Sequence, residues 1–218
     1  MTKEKYYNHE KIYKKIFAEG GKGWEDYNRS KKDAYKRLKQ FLNSRFAPKK
    51  GLALDVGCGG GQAAFLIEKN GFNVFGIDYS TSAIKIAKKN AKRKKSSAKF
   101  KVADALKMPF SDDKFDLVAD NHTFHCIVTK KDREQFAKEV YRVLKKRGIF
   151  FTATMQISKE VISKYADKLE KSGKSYHSKI RYWTSRDEFV RLLKKNKFKI
   201  LHINDNGGIT VYATKCTS

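Results

Sequence analysis

The stretch Leu52-Ala53-Leu54-Asp55-Val56-Gly57-Cys58-Gly59-Gly60-Gly61 decides the fold class of this chain. Its apolar half is typical of a short buried β-strand, and its glycine half is typical of a tight turn. Glycine allows backbone angles with φ > 0 and lets a ligand approach the main chain closely. A helix predicted to begin after Gly61 points its free N–H groups at the same place. The stretch therefore predicts a strand, a ligand-binding turn and a helix in succession.

Strand and helix patterns alternate along the chain on the C-terminal side of this unit. The predicted strands cover 52–56, 73–77, 99–102, 115–119 and 149–154, and a hairpin pair covers 198–203 and 209–213. The predicted helices lie between them, over 63–70, 80–87, 132–146, 158–171 and from 184 through Leu193. Repeated alternation indicates a mostly parallel sheet with helices on both faces. We therefore predict an α/β, three-layer αβα, Rossmann-like domain.

Acidic residues lie at or just after the ends of the first three predicted strands. Asp55 ends the first strand, Asp78 ends the second strand 23 residues later, and Asp104 follows the third. Ligands of doubly wound sheets bind at the carboxyl ends of the strands. A carboxylate at the second position can accept hydrogen bonds from two ribose hydroxyls. This pattern predicts a site for a nucleoside-containing ligand.

The combined motifs resemble those of the class I S-adenosylmethionine-dependent methyltransferases. Leu52–Gly61 resembles their first motif, Gly76–Ser80 the second, Asp104–Phe110 the third and Phe115–Asn121 the fourth. Val143–Gly148 resembles the turn before their fifth strand, so the resemblance covers about residues 50–155. It implies a seven-stranded sheet with an antiparallel last strand. It also implies S-adenosylmethionine as methyl donor and S-adenosylhomocysteine as product.

The resemblance assigns expected roles to individual residues. Those expected to bind the cofactor are Asp55 at the amino group, Gly57 and Gly59 along the methionine part, Asp78 at the ribose, Tyr79, Asp104 and Ala105 at the adenine, and Asn121 at the methionine end. A nicotinamide dinucleotide is the competing ligand. Its G-x-G-x-x-G fingerprint differs from Gly57-x-Gly59-x-Gly61, and a carboxylate at Asp55 suits an ammonium group better than a pyrophosphate.

The region after the fourth strand bears on the methyl acceptor. Asp120-Asn121-His122-Thr123 lacks the Asp/Asn-Pro-Pro-aromatic pattern that suits base and amide nitrogens, and it lacks the Pro-Cys of cytosine-C5 enzymes. No carboxylate pair follows the fifth strand, so we expect no metal site. His122 and His125 are the candidate catalytic bases, since histidine titrates near neutral pH. The alternative for His125 is a packing role in the following helix.

Two segments are expected to cover the acceptor. The first is an N-terminal helical lid over 1–47, ahead of a methyltransferase domain over 48–218, and the second is an insertion over 157–183. Both are rich in aromatic residues, which suit an apolar pocket. The candidate substrate-binding residues are Trp24, Tyr27 and Trp183. The alternative is that these aromatics form an ordinary core.

Composition narrows the remaining possibilities. The 49 basic and 23 acidic residues give a formal net charge of +26, and 39 of the basic residues are lysine. Nucleic acid binding is one explanation of this charge, and a solvated lysine-rich surface is another, because arginine is preferred for phosphate and base contacts. Binding to an anionic membrane surface is the third, but no clear basic amphipathic helix with a strong apolar face supports it. The absence of a signal-peptide pattern, of an apolar run of 18 residues and of paired cysteines predicts a cytoplasmic protein that does not bind membranes.

The sequence thus predicts an enzyme that methylates a small molecule from S-adenosylmethionine. An RNA methyltransferase acting on tRNA or rRNA is the alternative, supported chiefly by the charge. A protein that binds the cofactor without catalysis is a third possibility, although all the expected cofactor positions are intact. The sequence gives no indication of the oligomeric state.

Overall fold

The computed structural model describes residues 7–24, 35–165, 170–172, 175–177 and 181–216. The helices in this part of the chain are α1 (Tyr7–Ala18), α2 (Lys36–Leu42), α3 (Gln62–Lys69), α4 (Thr81–Lys94), α5 (Lys130–Val143), α6 (Lys159–Tyr165) and α7 (Arg186–Lys195). The strands are β1 (Gly51–Val56), β2 (Phe72–Asp78), β3 (Lys99–Val102), β4 (Phe115–Asn121), β5 (Leu144–Thr154), β6 (Glu170–Ser172), β7 (Ser175–His177), β8 (Tyr182–Trp183), β9 (Phe198–Asn204) and β10 (Ile209–Lys215).

Seven strands form one sheet in the order β3-β2-β1-β4-β5-β10-β9. β1 pairs in parallel with β2 and β4, and β10 pairs antiparallel with both β5 and β9. The strand order reverses between β1 and β4, where doubly wound sheets bind their ligands. The predicted seven-stranded sheet with an antiparallel last strand is confirmed.

Helices cover both faces of the sheet and form two apolar cores. One core joins α2, α3 and α4 to the sheet around Phe41, Phe65 and Phe151. The other joins α5 and α7 to the opposite face around Phe136, Phe150 and Phe189. This is the predicted αβα architecture, and its two filled faces hold the strand ends in fixed positions.

Local sequence signals set the starts of several helices. The Ser80 hydroxyl accepts a hydrogen bond from the Ala83 N–H at the start of α4, and Thr129 caps α5 in the same way. Ser185 accepts from the Glu188 N–H and opens α7. Such caps satisfy N–H groups that have no partner within the helix.

Two helices end earlier than the sequence predicts, whereas α4 continues beyond the predicted 80–87 to Lys94. The helix predicted over 132–146 is α5 and ends at Val143, because Leu144 already pairs with Phe115 of β4. The helix predicted over 158–171 is the shorter α6, and Glu170–Ser172 is a strand of a small separate sheet, β6-β7-β8. Periodicity missed both changes because strand pairing with distant residues, and not local propensity, decides them.

Within the predicted N-terminal lid, the two described helices take different places. α1 packs on α4, where Tyr13 and Ile16 meet Ala83 and Ile86. α2 packs on the sheet instead, with Phe41 stacked near Phe151. The part of the chain that the structure describes has no helix long and apolar enough to span a bilayer.

Candidate active site

A cavity of about 350 Å³ opens at the carboxyl ends of β1, β2 and β4. This volume falls in the range of small-molecule sites, roughly 300–1,000 Å³. The residues predicted from the sequence that line it are Asp55, Gly57, Gly59, Asp78, Tyr79, Asp104, Ala105, Asn121, His122, His125 and Trp24. The fold therefore brings the predicted cofactor residues and both histidines together.

The turn after β1 depends on its glycines. Gly57, Gly59 and Gly61 have φ angles of +69°, +52° and +85°, which side-chain-bearing residues rarely adopt. A Cβ on Gly57 would overlap Thr123 Oγ1, and a Cβ on Gly59 would overlap the Tyr13 hydroxyl. The glycines thus admit two neighbouring side chains as well as leaving main chain open to the cavity.

Asp55 is a buried carboxylate at the base of this turn. Burial is the main reason that its pKa rises to about 7; the Ala64 amide opposes this shift, and the charges of Asp78 and Asp120 add to it. Its Oδ2 has no hydrogen-bond partner among the residues that the structure describes. A buried oxygen without a partner is costly, so this position is suited to a donor from a ligand.

Asp78 is held in one orientation by two main-chain donors. Gly59 N–H donates to Oδ2 at 2.9 Å and Ser80 N–H donates to Oδ1 at 2.8 Å. Burial raises the pKa of Asp78 to about 6 against the effect of these hydrogen bonds. Each carboxylate oxygen retains a second lone pair, so the group can accept further hydrogen bonds from hydroxyls in the cavity.

Three further predicted residues stand around Asp78 and the end of β4. Asp104 lies in a turn that its own Oδ1 closes, by accepting from Leu106 N–H at 2.8 Å. Tyr79 keeps 38% of its surface exposed at the cavity edge. Asn121 is the last residue of β4 and lines the cavity at the end that also contains His122.

His122 and His125 lie on a turn that Asp120 organises. Asp120 Oδ1 accepts from Thr123 N–H at 2.7 Å and from Phe124 N–H at 3.1 Å, and Oδ2 accepts from the Thr152 hydroxyl. His122 adopts a left-handed φ of +75°, and its ring centroid is 5.6 Å from that of His125. His125 is buried within the turn, whereas His122 is only partly buried.

The predicted cover residues take different positions. Trp24 lines the cavity, with its ring 5.6 Å from His9 and 5.7 Å from Tyr13. Trp183 belongs to β8, opposite Tyr176 of β7, and is not among the described side chains that line the cavity. Tyr27 lies outside the described residues.

Comparison with known proteins decides the family. A family model described as a methyltransferase domain matches residues 49–207, which span β1 to the turn before β10. The chain belongs to the class I S-adenosylmethionine-dependent methyltransferases. The sequence-based resemblance and the predicted Rossmann-like fold are both confirmed.

The matches between this methyltransferase and individual relatives span only part of each chain. Ajmaline N-methyltransferase from Rauvolfia serpentina is 41% identical over 93 residues, which are 41% of this chain and 31% of that protein. Tocopherol O-methyltransferase from Arabidopsis thaliana is 31% identical over 161 residues, or 70% of this chain and 45% of that protein. The matches thus span less than half of either relative. A crystal structure of a protein from Pyrococcus horikoshii is 26% identical, with a TM-score of 0.71 over 86% of this chain and 91% of that one.

Several residues of the methyltransferase cavity were missed by the sequence analysis. Tyr13, His9, Thr123 and Arg181 all line it. Tyr13 and His9 share one face of α1 at a spacing of four residues, and Tyr13 is one of the aromatic residues of the predicted N-terminal lid. Thr123 and Arg181 reach the cavity through tertiary contacts and leave no pattern in the sequence.

Proposed function

We propose that this methyltransferase transfers a methyl group from S-adenosylmethionine to a small-molecule acceptor, with S-adenosylhomocysteine as the second product. The observation that carries this proposal is the buried Asp55 carboxylate beside the glycine turn, one oxygen of which has no partner among the described residues. An ammonium group at that point would satisfy the oxygen and neutralise the buried charge.

The other residues of this end of the cavity fit the rest of S-adenosylmethionine. Asp78 would accept hydrogen bonds from the ribose hydroxyls, since its two main-chain donors fix the carboxylate. Tyr79 would stack on the adenine, and Asp104 and Ala105 would meet its edge. When bound, S-adenosylmethionine supplies a sulfonium methyl: the acceptor lone pair bonds to that carbon, the carbon–sulfur electrons stay on sulfur, and the acceptor proton is released.

The chain itself then has three tasks. The strand ends and the glycine turn hold the donor in one orientation, and much of the rate enhancement of such a displacement comes from alignment. α1 and Arg181 border the cavity, where they would shield a bound donor and acceptor from water. His122 is within the cavity at the end of β4, where its ring can take the proton that the acceptor loses.

The size of the cavity and the named relatives support a small acceptor. The cavity of about 350 Å³ must also hold the donor, so the space that remains beside α1 suits a compact molecule better than a polymer chain. Two relatives are named as an ajmaline N-methyltransferase and a tocopherol O-methyltransferase. A screen of small acceptors identifies the molecule and the atom that receive the methyl group.

RNA is a second candidate acceptor, favoured by the surface of α4. Seven basic side chains on and just after this helix are exposed: Lys85, Lys88, Lys89, Lys92, Arg93, Lys94 and Lys95. Phosphate contacts by such a row produce binding that weakens steeply as the salt concentration rises.

The test is a calorimetric titration with S-adenosylmethionine and S-adenosylhomocysteine, with and without bulk tRNA, at two salt concentrations. We expect cofactor binding that tRNA does not change, followed by label transfer in a screen of small acceptors. Asp78→Ala should weaken cofactor binding by at least 100-fold, whereas Asp205→Ala on the surface should leave it unchanged. Absence of cofactor binding would overturn the proposal, and salt-sensitive transfer to tRNA would replace the small acceptor by RNA.

A further inference from the structure

The two ends of the cavity carry opposite charge. The carboxylates among its described lining residues are Asp55, Asp78 and Asp104, and all three belong to the end assigned to the donor. Arg181 is the one lysine or arginine among the described lining residues, and it lies beside His9 and Cys126. A ligand that fills the whole cavity therefore meets acceptor groups at one end and donor groups at the other.

Arg181 fixes the state of its neighbour on α1. Its Nη1 is 3.0 Å from His9 Nε2 and 3.4 Å from Cys126 Sγ. A guanidinium only donates, so His9 Nε2 accepts and the proton of a neutral His9 is on Nδ1. Burial, and then the charge of Arg181, lowers the pKa of His9 to about 4, so the ring is neutral at physiological pH.

The other nitrogen of His9 is then a buried donor. Nδ1 has no hydrogen-bond partner among the residues that the structure describes. Because Nδ1 carries the proton, an oxygen from a ligand would complete its hydrogen bonding. Arg181 thus offers a cation at this part of the cavity, held in place by His9 Nε2, and a guanidinium suits a carboxylate.

The positions of His9 and Tyr13 along α1 show how far this pair lies from the donor end. The Tyr13 hydroxyl lies against Gly59, in the turn that would hold the methionine part of the donor. His9 is four residues earlier on the same helix face, which corresponds to a rise of about 6 Å. Cys126, the other contact of Arg181, lies beyond His122 along the turn after β4. The pair therefore stands on the acceptor side of the cavity.

We propose that Arg181, with His9 beside it, binds a carboxylate group of the methyl acceptor. This inference rests on the proposed function and names its substrate class: a small carboxylic acid whose apolar body packs against Trp24. Arg181 is a specificity residue in this scheme, since it recognises the acceptor without taking part in proton transfer. An arginine suits this task because its planar fork matches the two oxygens of a carboxylate.

The test uses the full chain saturated with S-adenosylhomocysteine and matched pairs of acid and amide probes. The pairs are formate and formamide, benzoate and benzamide, and indole-3-acetate and indole-3-acetamide, titrated by calorimetry at pH 7.5. We expect at least one acid to bind tenfold or more tightly than its amide. Arg181→Gln should bring that ratio within twofold, while Arg181→Lys should keep part of it.

The control is Arg186→Gln. Arg186 is an exposed arginine five residues after Arg181, and its Nε lies 3.6 Å from Asp205 Oδ2. The substitution therefore removes the same charge as Arg181→Gln at a position outside the cavity. It should keep the wild-type ratio. If no acid outbinds its amide in the unmodified protein, the proposal is overturned, and this result does not depend on how any variant folds.

Two further measurements distinguish this proposal from a role of Arg181 in donor binding and from a failure of the proposed function. If Arg181→Gln weakens S-adenosylhomocysteine but not 5′-methylthioadenosine, which lacks the amino-acid carboxylate, Arg181 serves the donor and the proposal fails. If S-adenosylhomocysteine does not bind the unmodified protein at all, the proposed function fails first. Normal cofactor binding together with equal affinity for acids and amides overturns the acceptor proposal alone.

Discussion

Gly57 and Thr123 are packed so closely that a Cβ on Gly57 would overlap Thr123 Oγ1 and lie 2.7 Å from Cγ2. Thr123 cannot move aside easily. Its hydroxyl donates to the Val56 carbonyl at 2.9 Å and its N–H donates to Asp120 Oδ1 at 2.7 Å. This contact joins the turn after β1 to the turn after β4, the two segments that border the methionine end of the cavity.

Gly57→Ala should therefore destabilise the protein by about 2 to 5 kcal/mol, from a left-handed backbone and overpacking together. Gly20→Ala is the matched control, because Gly20 also has a positive φ of +71° but nothing within 4 Å of an added Cβ. It should cost only about 1 kcal/mol. Urea unfolding measures both values. Equal losses in the two variants would mean that Thr123 does not restrict Gly57.

Asp55 should make stability and cofactor binding depend on pH in opposite directions. Its folded pKa of about 7 lies above its ordinary value of 3.8, so folding takes up a proton between these pH values. The free energy of unfolding of the ligand-free protein should fall as pH rises through this window and level off above pH 7. Asp78 and Asp120, with pKa values raised to about 6, titrate in the same window.

Cofactor affinity should instead rise between pH 5.5 and 7.5, because an ammonium group binds the ionised form of Asp55. Asp55→Asn should flatten both profiles in part and weaken binding at pH 7.5 by at least tenfold. Asp205→Asn, on the surface, should alter neither. Parallel pH profiles of stability and binding in the unmodified protein would exclude Asp55 as the ammonium partner.

The cofactor end of this site could be predicted because its determinants are local in sequence. Asp55 and Asp78 lie at the ends of their strands and Asp104 follows the end of β3, and a parallel sheet brings such positions to one edge. Their predicted roles stay predictions until a ligand is bound. The sheet could also be predicted, because the alternation of strands and helices is a local pattern in the sequence.

The acceptor end could be predicted only in part, because Arg181 and His9 are placed there by tertiary contacts. Arg181 reaches the cavity through contacts with His9 and Cys126, which are 172 and 55 residues away in sequence. Glu10 of α1 accepts hydrogen bonds from the hydroxyls of Ser80 and Ser82, and these contacts hold α1 against the start of α4. Neither contact has a periodic or motif signal, and only the folded chain reveals them.

His122 and His125 should respond differently to substitution. His122 lies partly exposed in the cavity with a left-handed backbone, so His122→Asn removes the ring while keeping a residue that tolerates this conformation. Turnover with an acceptor from the screen should fall about 100-fold, the smaller end of the usual contribution of a general base. Affinity for S-adenosylhomocysteine should stay within threefold.

His125→Asn should lower the unfolding temperature more than the turnover, since His125 is buried in the turn. His202→Asn is the control for both, because His202 stacks on Tyr212 and does not line the cavity. Full turnover in His122→Asn would exclude His122 as the base. A large loss of turnover in His125→Asn at unchanged stability would assign the proton transfer to His125.

Arg133 should contribute more to the folded state than any exposed arginine. Its guanidinium lies between the rings of Phe124 and Tyr182, at 4.1 and 4.0 Å from their centroids, and its Nη1 donates to the carbonyls of Phe124 and Ile127. Burial lowers the pKa of Arg133 to about 10, so the group stays charged at pH 7. It thus joins the turn that contains His125 to the strand next to Arg181.

Arg133→Lys should cost about 3 kcal/mol, because lysine keeps the charge but loses the planar stacking and the fork of donors. Arg45→Lys is the control: Arg45 is exposed over Phe46 at 5.1 Å, where a cation–π contact contributes about 0.5 to 1 kcal/mol. Urea unfolding gives both values, and acid-over-amide binding in Arg133→Lys reports the position of Arg181. A loss in Arg133→Lys no larger than that in Arg45→Lys would show that Arg133 does not hold the turn after β4.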